Sequence, residues 1–369
     1  MIAFSKHSVP KKIKNIFNEI LRTGWFTHGK YTEYFESEFK KFTGAKYCTV
    51  VSSCTAGLHL SILALGLKKN SEVLVPAMSH TATSHAAEYA NLKVKFMDVD
   101  PISGNIQYDE IVKKTSKNTK IIMVVHLNGN ACEIKKIKKF FKKKKIFLVE
   151  DCAHALGTKH QNKHVGNYGI SGCFSFYPTK QITTGEGGVV ITNNKNFYHQ
   201  IKKLKAFGID KDIKDRKLPG KYDVKKLGFN YRMTELHAAM GLLQLQKYNN
   251  FLQKRKIIAK RYIKNLKDIV HISFNDYDKN SSYFIFPIVT KLRDSLLKYL
   301  MKKKIGVSIH YATAIPFMTY YKKKYNLDKR KYKNSILYAN ANISLPVYPK
   351  LSLKDVDKIC LEIKKFFKK

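Results

Sequence analysis

Three short segments of the chain carry side chains that could act together on a bound ligand. A small polar turn at 51–57 leads into an apolar stretch, Glu150 and Asp151 directly follow an apolar run, and Lys180 precedes a Gly-Glu-Gly-Gly turn at 185–188. A polar turn at a helix N-terminus offers free N–H groups to a phosphate. An acid after a buried strand can bind a metal, a ribose or a protonated ring nitrogen, and a lysine amine can form a covalent bond with a carbonyl group.

Each segment also has a simpler explanation when it is taken alone. Ser53 or Thr55 would serve as an ordinary helix N-cap, the acids would cap the next turn, and a single lysine carries little weight in a lysine-rich chain. Together, however, the segments supply what pyridoxal phosphate requires, namely an amine for a Schiff base, an acid that keeps the pyridine nitrogen protonated, and an anchor for the phosphate. The combination favours a pyridoxal-phosphate enzyme.

Short β-rich runs alternate with helical patterns over residues 45–192, and this alternation predicts the elements that position the three segments. Several runs are apolar almost throughout, as strands buried on both faces should be. Strands are predicted at 47–51, 72–75, 94–99, 121–125, 146–149, 173–176 and 189–192, with helices at 56–67, 83–90 and 132–143. The pattern indicates an α/β fold with a doubly wound sheet, in which ligands bind at the carboxyl ends of the strands.

The second half of the chain has a different pattern. Thr234 is the predicted N-cap of a continuous helix that extends to about residue 264. Two β-like runs follow, at 284–289 and 306–309, and a final helix is predicted from Ser352. We therefore expect a large α/β domain over residues 1–250 and a smaller α+β domain over residues 251–369.

The charge of the chain limits the class of protein. Lysine and arginine number 69 against 27 acidic residues, which gives a formal net charge of +42, and nearly all of these bases are lysines. Sequence-specific DNA recognition depends largely on arginine, so a solvated lysine-rich surface is favoured over a nucleic-acid site. A basic nucleic-acid-binding protein is the alternative from a different class. The positive field would also attract an anionic substrate.

The start of the sequence, Met-Ile-Ala-Phe-Ser-Lys, has no apolar segment typical of a secretory signal. The apolar stretch at 58–67 is too short for a membrane span and suits a buried helix. The six cysteines contain no CxxC pair, which is typical of reduced thiols. We therefore expect a cytoplasmic protein with neither a membrane partner nor a metal site.

Further motifs extend over nearly the whole chain. They lie at 23–29, 35–36, 53–59, 72–76, 96–100, 125–129, 150–157, 227–235 and 345–349. With the Lys180 and Asp151 segments, which are specific as a pair, they resemble the DegT/StrS-type sugar aminotransferases, fold-type I pyridoxal-phosphate enzymes that act on nucleotide-linked keto-sugars. The resemblance implies a large domain with a mostly parallel sheet, a smaller C-terminal α+β domain, and a homodimer with shared active sites.

The resemblance also implies roles for individual residues around the cofactor. Lys180 would form the Schiff base with pyridoxal 5'-phosphate, and Asp151 would hold the protonated pyridine nitrogen. The phosphate would be held by Thr55, the Ala56 backbone N–H and Ser175, and by Asn230 acting on the cofactor of the neighbouring subunit.

Three positions near the cofactor depart from the family pattern. His154 stands where the family often has glutamine, near the cofactor's ring hydroxyl. His80 stands where an aromatic ring usually stacks on the cofactor, and an imidazole can stack as well. Cys54 replaces the usual glycine before the phosphate-binding threonine, and its thiol is small enough to leave the phosphate site intact.

The implied reaction moves an amino group from L-glutamate to C4 or C3 of a keto-sugar carried on a nucleoside diphosphate, for surface glycans such as the lipopolysaccharide O-antigen. The candidate substrate contacts are Thr27, His28, Glu186, His310 and Tyr311. For Glu186, a structural hydrogen bond to the loop backbone is an equal alternative. For His126, a position bordering the site and a buried structural role are both open.

Two alternatives keep the fold and change the activity. Relatives that replace the Schiff-base lysine with histidine are dehydratases, so a nucleotide-sugar dehydratase is the nearest competing function. Lys180 is present here, which favours transamination. A regulator that retains the fold without catalysis is disfavoured by the intact Lys180–Asp151 pair.

Overall fold

A seven-stranded sheet forms the centre of the N-terminal part of the chain. The structure is a computed structural model that describes residues 1–211, 216–274 and 276–368. The strands of this sheet are β1 (Tyr47–Val51), β2 (Glu72–Pro76), β3 (Lys93–Met97), β4 (Thr119–Val125), β5 (Phe147–Asp151), β8 (Ser171–Ser175) and β9 (Gly188–Thr192), and a separate hairpin contains β6 (Lys159–His160) and β7 (Lys163–His164). Their order is β1-β9-β8-β5-β4-β2-β3, and among these seven β9 alone runs in the direction opposite to the other six.

Helices cover both faces of this sheet. They are α1 (Ile13–Thr23), α2 (Lys30–Thr43), α3 (Cys54–Leu63), α4 (Ala82–Tyr89), α5 (Tyr108–Lys114), α6 (Ile134–Lys144), α7 (Lys195–Leu204) and α8 (Glu235–Leu245). Side chains alternate along each strand, so Val189 and Ile191 of β9 pack in the core under α1, α2 and α8, whereas Val190 packs in the core under α3, α4 and α7. Burial on both faces explains why these strands are apolar almost throughout.

The C-terminal part has its own smaller core. The elements of this part of the chain are α9 (Tyr248–Leu266), β10 (His271–Ile272), β11 (Phe286–Val289), α10 (Arg293–Lys302), α11 (Thr319–Tyr325), α12 (Lys333–Ala341), β12 (Asn342–Leu345) and α13 (Leu353–Phe367). Tyr321 of α11 and Tyr338 of α12 pack in the cores on the large sheet instead. The strands form an antiparallel sheet in the order β10-β11-β12. Ile2 from the N-terminus packs in this core and pairs with Ile305, and the predicted boundary at residue 250 falls inside α9.

The predicted fold class is confirmed, and each of the seven predicted strands of the large sheet is present within a few residues of its expected bounds. The continuous helix expected from Thr234 was wrong. Thr234 does cap a helix, since its side chain accepts the N–H of His237, but the pattern divides into α8 and α9. The two helices pack on different partners, α8 on α2 and α9 on α13, and Lys247 between them departs from regular helical geometry, with φ −100° and ψ 0°.

The strand expected at 306–309 was also wrong. Only Ser308 pairs there, exchanging backbone hydrogen bonds with Ser344 at the edge of β12. The final helix is confirmed, because Ser352 caps α13 by accepting the N–H of Asp355. All six cysteines are free and buried. Among the described residues, no helix combines the length and the apolar character needed to cross a bilayer.

The sheet brings the three chemically suggestive segments to one edge. Because β1, β5 and β8 run in the same direction, their carboxyl ends lie at the same edge of the sheet. The polar turn follows β1, Asp151 is the last residue of β5, and Ser175 is the last residue of β8. Lys180 lies in the loop between β8 and β9, at this same edge.

Candidate functional site

The loop that carries Lys180 is closed at its base by backbone hydrogen bonds. Phe176 donates its N–H to the carbonyl of Gly187 at 3.0 Å, and its own carbonyl accepts the N–H of Thr184 at 2.9 Å. The turn within the loop requires Gly185, whose φ of +83° is a conformation that favours glycine. The N–H of Lys180 donates to the carbonyl of Tyr177 at 2.9 Å. The glycine-rich sequence therefore fixes the backbone from which the lysine extends.

The Lys180 amine is held in a form that can exchange protons near neutral pH. Burial lowers the pKa of Lys180 to about 8, while the Asp151 carboxylate opposes this by favouring the ammonium form. In the described part of the chain, no carboxylate lies within ion-pair distance of Nζ. The ring of Phe284 lies beneath the amine, with Nζ 4.8 Å from the ring centroid. An amine with this pKa can act as a nucleophile and as a general base or acid.

Asp151 presents a carboxylate that its own chain has only partly satisfied. It is 4% exposed, its Oδ2 accepts the hydroxyl of Thr83 at 2.7 Å, and its Oδ1 accepts the N–H of Ala153 at 3.0 Å. Because the Thr83 proton is used in this way, Ser79 donates its own hydroxyl to Thr83 at 2.8 Å. The thiol of Cys54 also lies 4.0 Å from Oδ1, and Oδ2 keeps a lone pair for a further donor.

Glu150, one residue earlier, points to the opposite side of the sheet and is fully buried. The N–H of Cys132 donates to Nδ1 of His126, so Nε2 carries the proton that His126 donates to Glu150 at 3.1 Å. Three backbone N–H groups also donate to Glu150, each at 2.7 Å, from Gly166, Tyr168 and Gly169. Burial raises the pKa of Glu150, but the His126 bond and these N–H groups hold it below its usual value. Of the two alternatives for His126, the buried structural role is correct.

The turn after β1 begins α3 and contains the predicted phosphate site. Ser53 is the N-cap, and its hydroxyl accepts the N–H of Ala56 at 3.0 Å, so the capping interpretation holds for Ser53. In the described part of the chain, the N–H groups of Cys54 and Thr55 have no acceptor. The Ala56 N–H would have to share a phosphate with the Ser53 cap, whereas the two preceding N–H groups are free to bind one.

An imidazole–aromatic cluster borders the lysine. His154 is buried and stacks on Phe284, with ring centroids 4.3 Å apart. Its Nδ1 accepts the N–H of Asn128 at 3.4 Å, so Nε2 carries the proton that is donated to the hydroxyl of Tyr311 at 3.3 Å. Burial, aided by the nearby Lys180 charge, lowers the pKa of His154 well below its usual value. His154 is therefore a neutral hydrogen-bonding group in this cluster.

His310 and His80 complete the cluster around Tyr311. The ring of Tyr311 meets that of His80 edge-on at 5.9 Å and that of His310 at 5.4 Å. Nδ1 of His310 lies 3.0 Å from the hydroxyl of Ser344, and burial lowers the pKa of His310 to about 3. His80 is exposed, and burial of part of its ring and the Lys180 charge lower its pKa. The structure thus brings four of the predicted residues together beside Lys180.

Other predicted residues lie on the surface of the chain. Arg232 joins two of them, because its Nε donates to Oδ1 of Asn230 at 3.0 Å and its Nη1 lies 3.3 Å from Nε2 of His28. Arg232 and His28 line a basic cavity of about 210 Å³, together with Lys202 and Lys203. Thr27 is exposed. This cluster offers polar side chains outward rather than toward the chain's own lysine loop.

Two further features concern the segments next to these surface residues. Glu235, at the start of α8, accepts three N–H groups at the start of α2, from Gly29 at 3.0 Å, Tyr31 at 2.7 Å and Thr32 at 3.2 Å. This buried acid therefore anchors the segment that carries Thr27 and His28. Glu186 is exposed, and the loop hydrogen bond at this position is made by its backbone carbonyl, which accepts the Thr184 hydroxyl at 2.6 Å. The Glu186 carboxylate has no described bond to the loop backbone.

Sequence reasoning missed two residues that contact the central pair. Thr83 donates to Asp151, and Phe284 contacts the Lys180 amine. A hydroxyl near the start of a helix and an aromatic residue in a β-like run are common in any chain, so neither position carries a signal of its own. Both assignments depend on contacts between residues far apart in sequence.

Fold and site together define the class of protein. The chain has the fold of pyridoxal-phosphate-dependent aminotransferases, and solved structures of that class match it end to end. PseC from Helicobacter pylori, an aminotransferase involved in pseudaminic acid biosynthesis, is 29% identical, covers 100% of this chain and 99% of its own, and superposes with a TM-score of 0.91. The PLP-form of the putative sugar aminotransferase Spr1654 from Streptococcus pneumoniae is 26% identical and covers 100% and 98%, with a TM-score of 0.91.

The chain belongs to the DegT/DnrJ/EryC1/StrS aminotransferase family, whose family model matches residues 8–364. The GDP-perosamine synthase of Escherichia coli O157:H7 is 34% identical over 365 residues, which cover 98% of this chain and 97% of that protein. The predicted family is confirmed, and the prediction of a sugar aminotransferase is confirmed by the family and its named relatives.

Proposed function

We propose that this protein transfers an amino group from L-glutamate to C4 or C3 of a keto-sugar carried on a nucleoside diphosphate, with pyridoxal 5'-phosphate as cofactor. The observation that carries the proposal is the convergence of the Lys180 amine and the Asp151 carboxylate at one edge of the sheet. The similarity to a GDP-perosamine synthase supports a nucleotide-linked sugar as the substrate. The product would serve the assembly of surface glycans.

The residues at this edge fit pyridoxal phosphate. The Lys180 amine has no ion-pair partner in the described part of the chain, Asp151 keeps a lone pair on Oδ2 for a protonated ring nitrogen, and the first N–H groups of α3 suit a phosphate. His80, Ser175 and His154 would contact the ring, the phosphate and the ring hydroxyl, respectively. When bound, the cofactor supplies an aldehyde for Lys180 and an electron-withdrawing ring that accepts charge from the substrate carbon.

The side chains of the site would divide the work as follows. Lys180 would take the proton from the donor's α-carbon and return a proton during transfer, because its lowered pKa lets the amine change protonation state near neutral pH. Asp151, held by Thr83 and the Ala153 N–H, would keep the ring nitrogen protonated. Tyr311 and His310 would border the sugar, and the neutral His154 would orient the hydroxyl of Tyr311.

The outward-facing surface cluster supports an active site shared between two subunits. Asn230, Arg232 and His28 are linked to one another. Asn230 is exposed on the single chain. In a homodimer Asn230 would reach the phosphate of the partner's cofactor, and Thr27, His28 and Glu186 would contact the nucleotide-linked sugar. The positive charge of this region suits a diphosphate.

Replacement of Lys180 tests the proposal directly. Purified protein loaded with pyridoxal phosphate is mixed with glutamate and a panel of UDP-, GDP- and dTDP-linked keto-sugars, and 2-oxoglutarate is measured against the amino sugar formed. We expect equal amounts of the two products with the unaltered protein and none with Lys180→Ala. The exposed Lys195→Ala variant is the matched control and should keep full turnover. Sustained transfer by Lys180→Ala refutes the assignment, and sugar deoxygenation without a new amine indicates a dehydratase.

A further inference from the structure

Phe284 is the group that lies against the reactive amine. Nζ of Lys180 is 4.8 Å from the centroid of its ring, within the range of about 6 Å over which an aromatic face attracts an ammonium group. The ring is 3% exposed and is stacked on His154. An aromatic face attracts the ammonium form without the strong ion pair that a carboxylate would make. The amine can therefore lie on the ring and still leave it to react.

The backbone on either side of this ring is firmly held. The N–H of Phe284 donates to the carbonyl of Asn128 at 3.1 Å, and its carbonyl accepts Nη1 of Arg255 at 3.1 Å. The same Arg255 nitrogen also donates to the carbonyl of Val347 at 2.7 Å. Arg255 is buried, so its hydrogen bonds to carbonyls replace the water it has lost. The ring of Phe284 has a fixed position relative to α9 and to the loop after β4.

A second set of bonds ties the same segment to the lysine loop. Gln181, the residue after Lys180, donates Nε2 to the hydroxyl of Ser282 at 3.1 Å and to the carbonyl of His154 at 3.0 Å. Ser282 in turn donates its hydroxyl to the carbonyl of His154 at 3.2 Å. Since Ser282 is two residues before Phe284, the distance between the ring and the lysine backbone is set by this network.

The charged and titratable groups that act on Lys180 come from several elements. Asp151 at the end of β5 and the thiol of Cys54 at the start of α3 favour the ammonium form. His80, His154 and His310 also lie within electrostatic reach, but their pKa values are all lowered, chiefly by burial, so they are uncharged at neutral pH. The group whose ring face contacts the amine is the uncharged Phe284.

We propose that Phe284 is the resting position of the free Lys180 amine, which it holds on its ring face whenever the lysine is not joined to the cofactor. The proposal rests on the proposed function, because a free lysine amine arises in each cycle when the amino donor displaces it. A four-carbon side chain released into solvent would lose its alignment. On the Phe284 face the amine stays beside the reacting centre, ready to move protons and to recapture the cofactor aldehyde.

Cofactor capture by the cofactor-free protein measures this contact without turnover. Apo-protein is mixed with pyridoxal phosphate from pH 6 to 10, the bond to lysine is reduced with borohydride, and the modified residue is quantified by mass spectrometry. Only the free amine reacts, so the rate rises with pH to a midpoint near 8 in the unaltered protein. In Phe284→Leu the ring no longer stabilises the ammonium form, and we expect the midpoint to fall by about 0.5 to 1 pH unit.

Matched variants separate this effect from general loosening of the core. Phe284→Tyr keeps the aromatic face and should keep the unaltered midpoint. Phe286→Leu removes a buried ring two residues further along, in β11, one that stacks on Tyr262 at 4.9 Å, and should also leave the midpoint unchanged. Phe284→Met replaces the leucine variant if circular dichroism shows that the latter is unfolded.

The possible outcomes distinguish this proposal from the proposed function. An unchanged midpoint in Phe284→Leu or Phe284→Met, or an equal shift in Phe286→Leu, overturns the role of Phe284 while leaving the lysine assignment intact. Failure of the unaltered protein to attach pyridoxal phosphate at Lys180 overturns the proposed function itself. A fall in the midpoint confined to the variants that lack a ring at position 284 supports the proposal.

Discussion

Two adjacent acids at the end of β5 face opposite sides of the sheet, and their surroundings differ completely. Glu150 accepts hydrogen bonds from His126 and from three backbone N–H groups, all inside the protein. Asp151 accepts one hydroxyl, one N–H group and a long contact from the Cys54 thiol, and its Oδ2 keeps a lone pair at the carboxyl edge of the sheet. The difference shows that a buried acid whose carboxylate is fully hydrogen-bonded within its own chain stabilises the fold. A neighbouring acid with unused acceptor capacity remains available for chemistry.

The substitution Glu150→Gln should have the largest effect, and we expect that effect on the stability of the fold. The amide would place its NH₂ group against backbone N–H donors, and the buried His126 would lose its anionic partner. We expect the free energy of unfolding, measured by urea denaturation, to fall by about 3 to 5 kcal/mol. Fold stability equal to that of the unaltered protein would show that the hydrogen bonds around Glu150 contribute little.

Asp151→Asn should produce the opposite result, a loss of activity in a stable fold. The amide cannot hold a proton on the cofactor's ring nitrogen by charge, so we expect turnover to fall by on the order of a hundredfold or more. The urea midpoint should change little, because the Ala153 N–H can still donate to the amide oxygen, while the amide NH₂ donates to the Thr83 hydroxyl, which can rotate to accept it. The Glu150→Gln protein is the natural control, since its remaining folded fraction should still bind pyridoxal phosphate. Undiminished turnover in Asp151→Asn contradicts the role given to this carboxylate.

The smallest effect is expected at Thr83, which donates a hydrogen bond to Asp151. Thr83→Val keeps the shape of the side chain and removes the hydroxyl that donates to Asp151 at 2.7 Å. Loss of one hydrogen bond to a charged group, about 1.5 kcal/mol, should weaken pyridoxal-phosphate binding roughly tenfold. Ser84→Ala, next to it on α4, removes a hydroxyl that donates to the Thr81 carbonyl instead, and binding should not change. Equal affinity in both variants, measured by fluorescence titration, would remove Thr83 from the site.

Much of the fold could be predicted because its signals are local. Apolar runs bounded by polar turns are visible in the sequence, and β1, β5 and β8 appear within a few residues of their predicted bounds. The expected continuous helix from Thr234 shows the limit of this reasoning. Its periodicity runs through both α8 and α9, but the two residues between Leu245 and Tyr248 leave the helix, and the two helices pack on different partners.

The candidate site could be predicted in part for the same reason. Lys180 stands out because it precedes a glycine-rich turn, and Asp151 because it follows an apolar strand. The contact between Phe284 and Lys180 could not be predicted, since it joins the start of a small-sheet segment to a loop about a hundred residues earlier. The sequence offered Ser53 and Thr55 as alternative N-caps, and only the folded turn selects Ser53.

By itself the sequence determined the α/β class, the order of the strands along the chain, and the residues able to act as amine, acid and phosphate anchor. These follow from side-chain type and from periods of a few residues. The tertiary structure alone decided that Glu150 is held within the fold by His126 and backbone N–H groups, that His126 is a structural group, and that Phe284 lies beneath the amine. Such choices depend on which faces of distant elements meet, and the packing of the whole chain settles them.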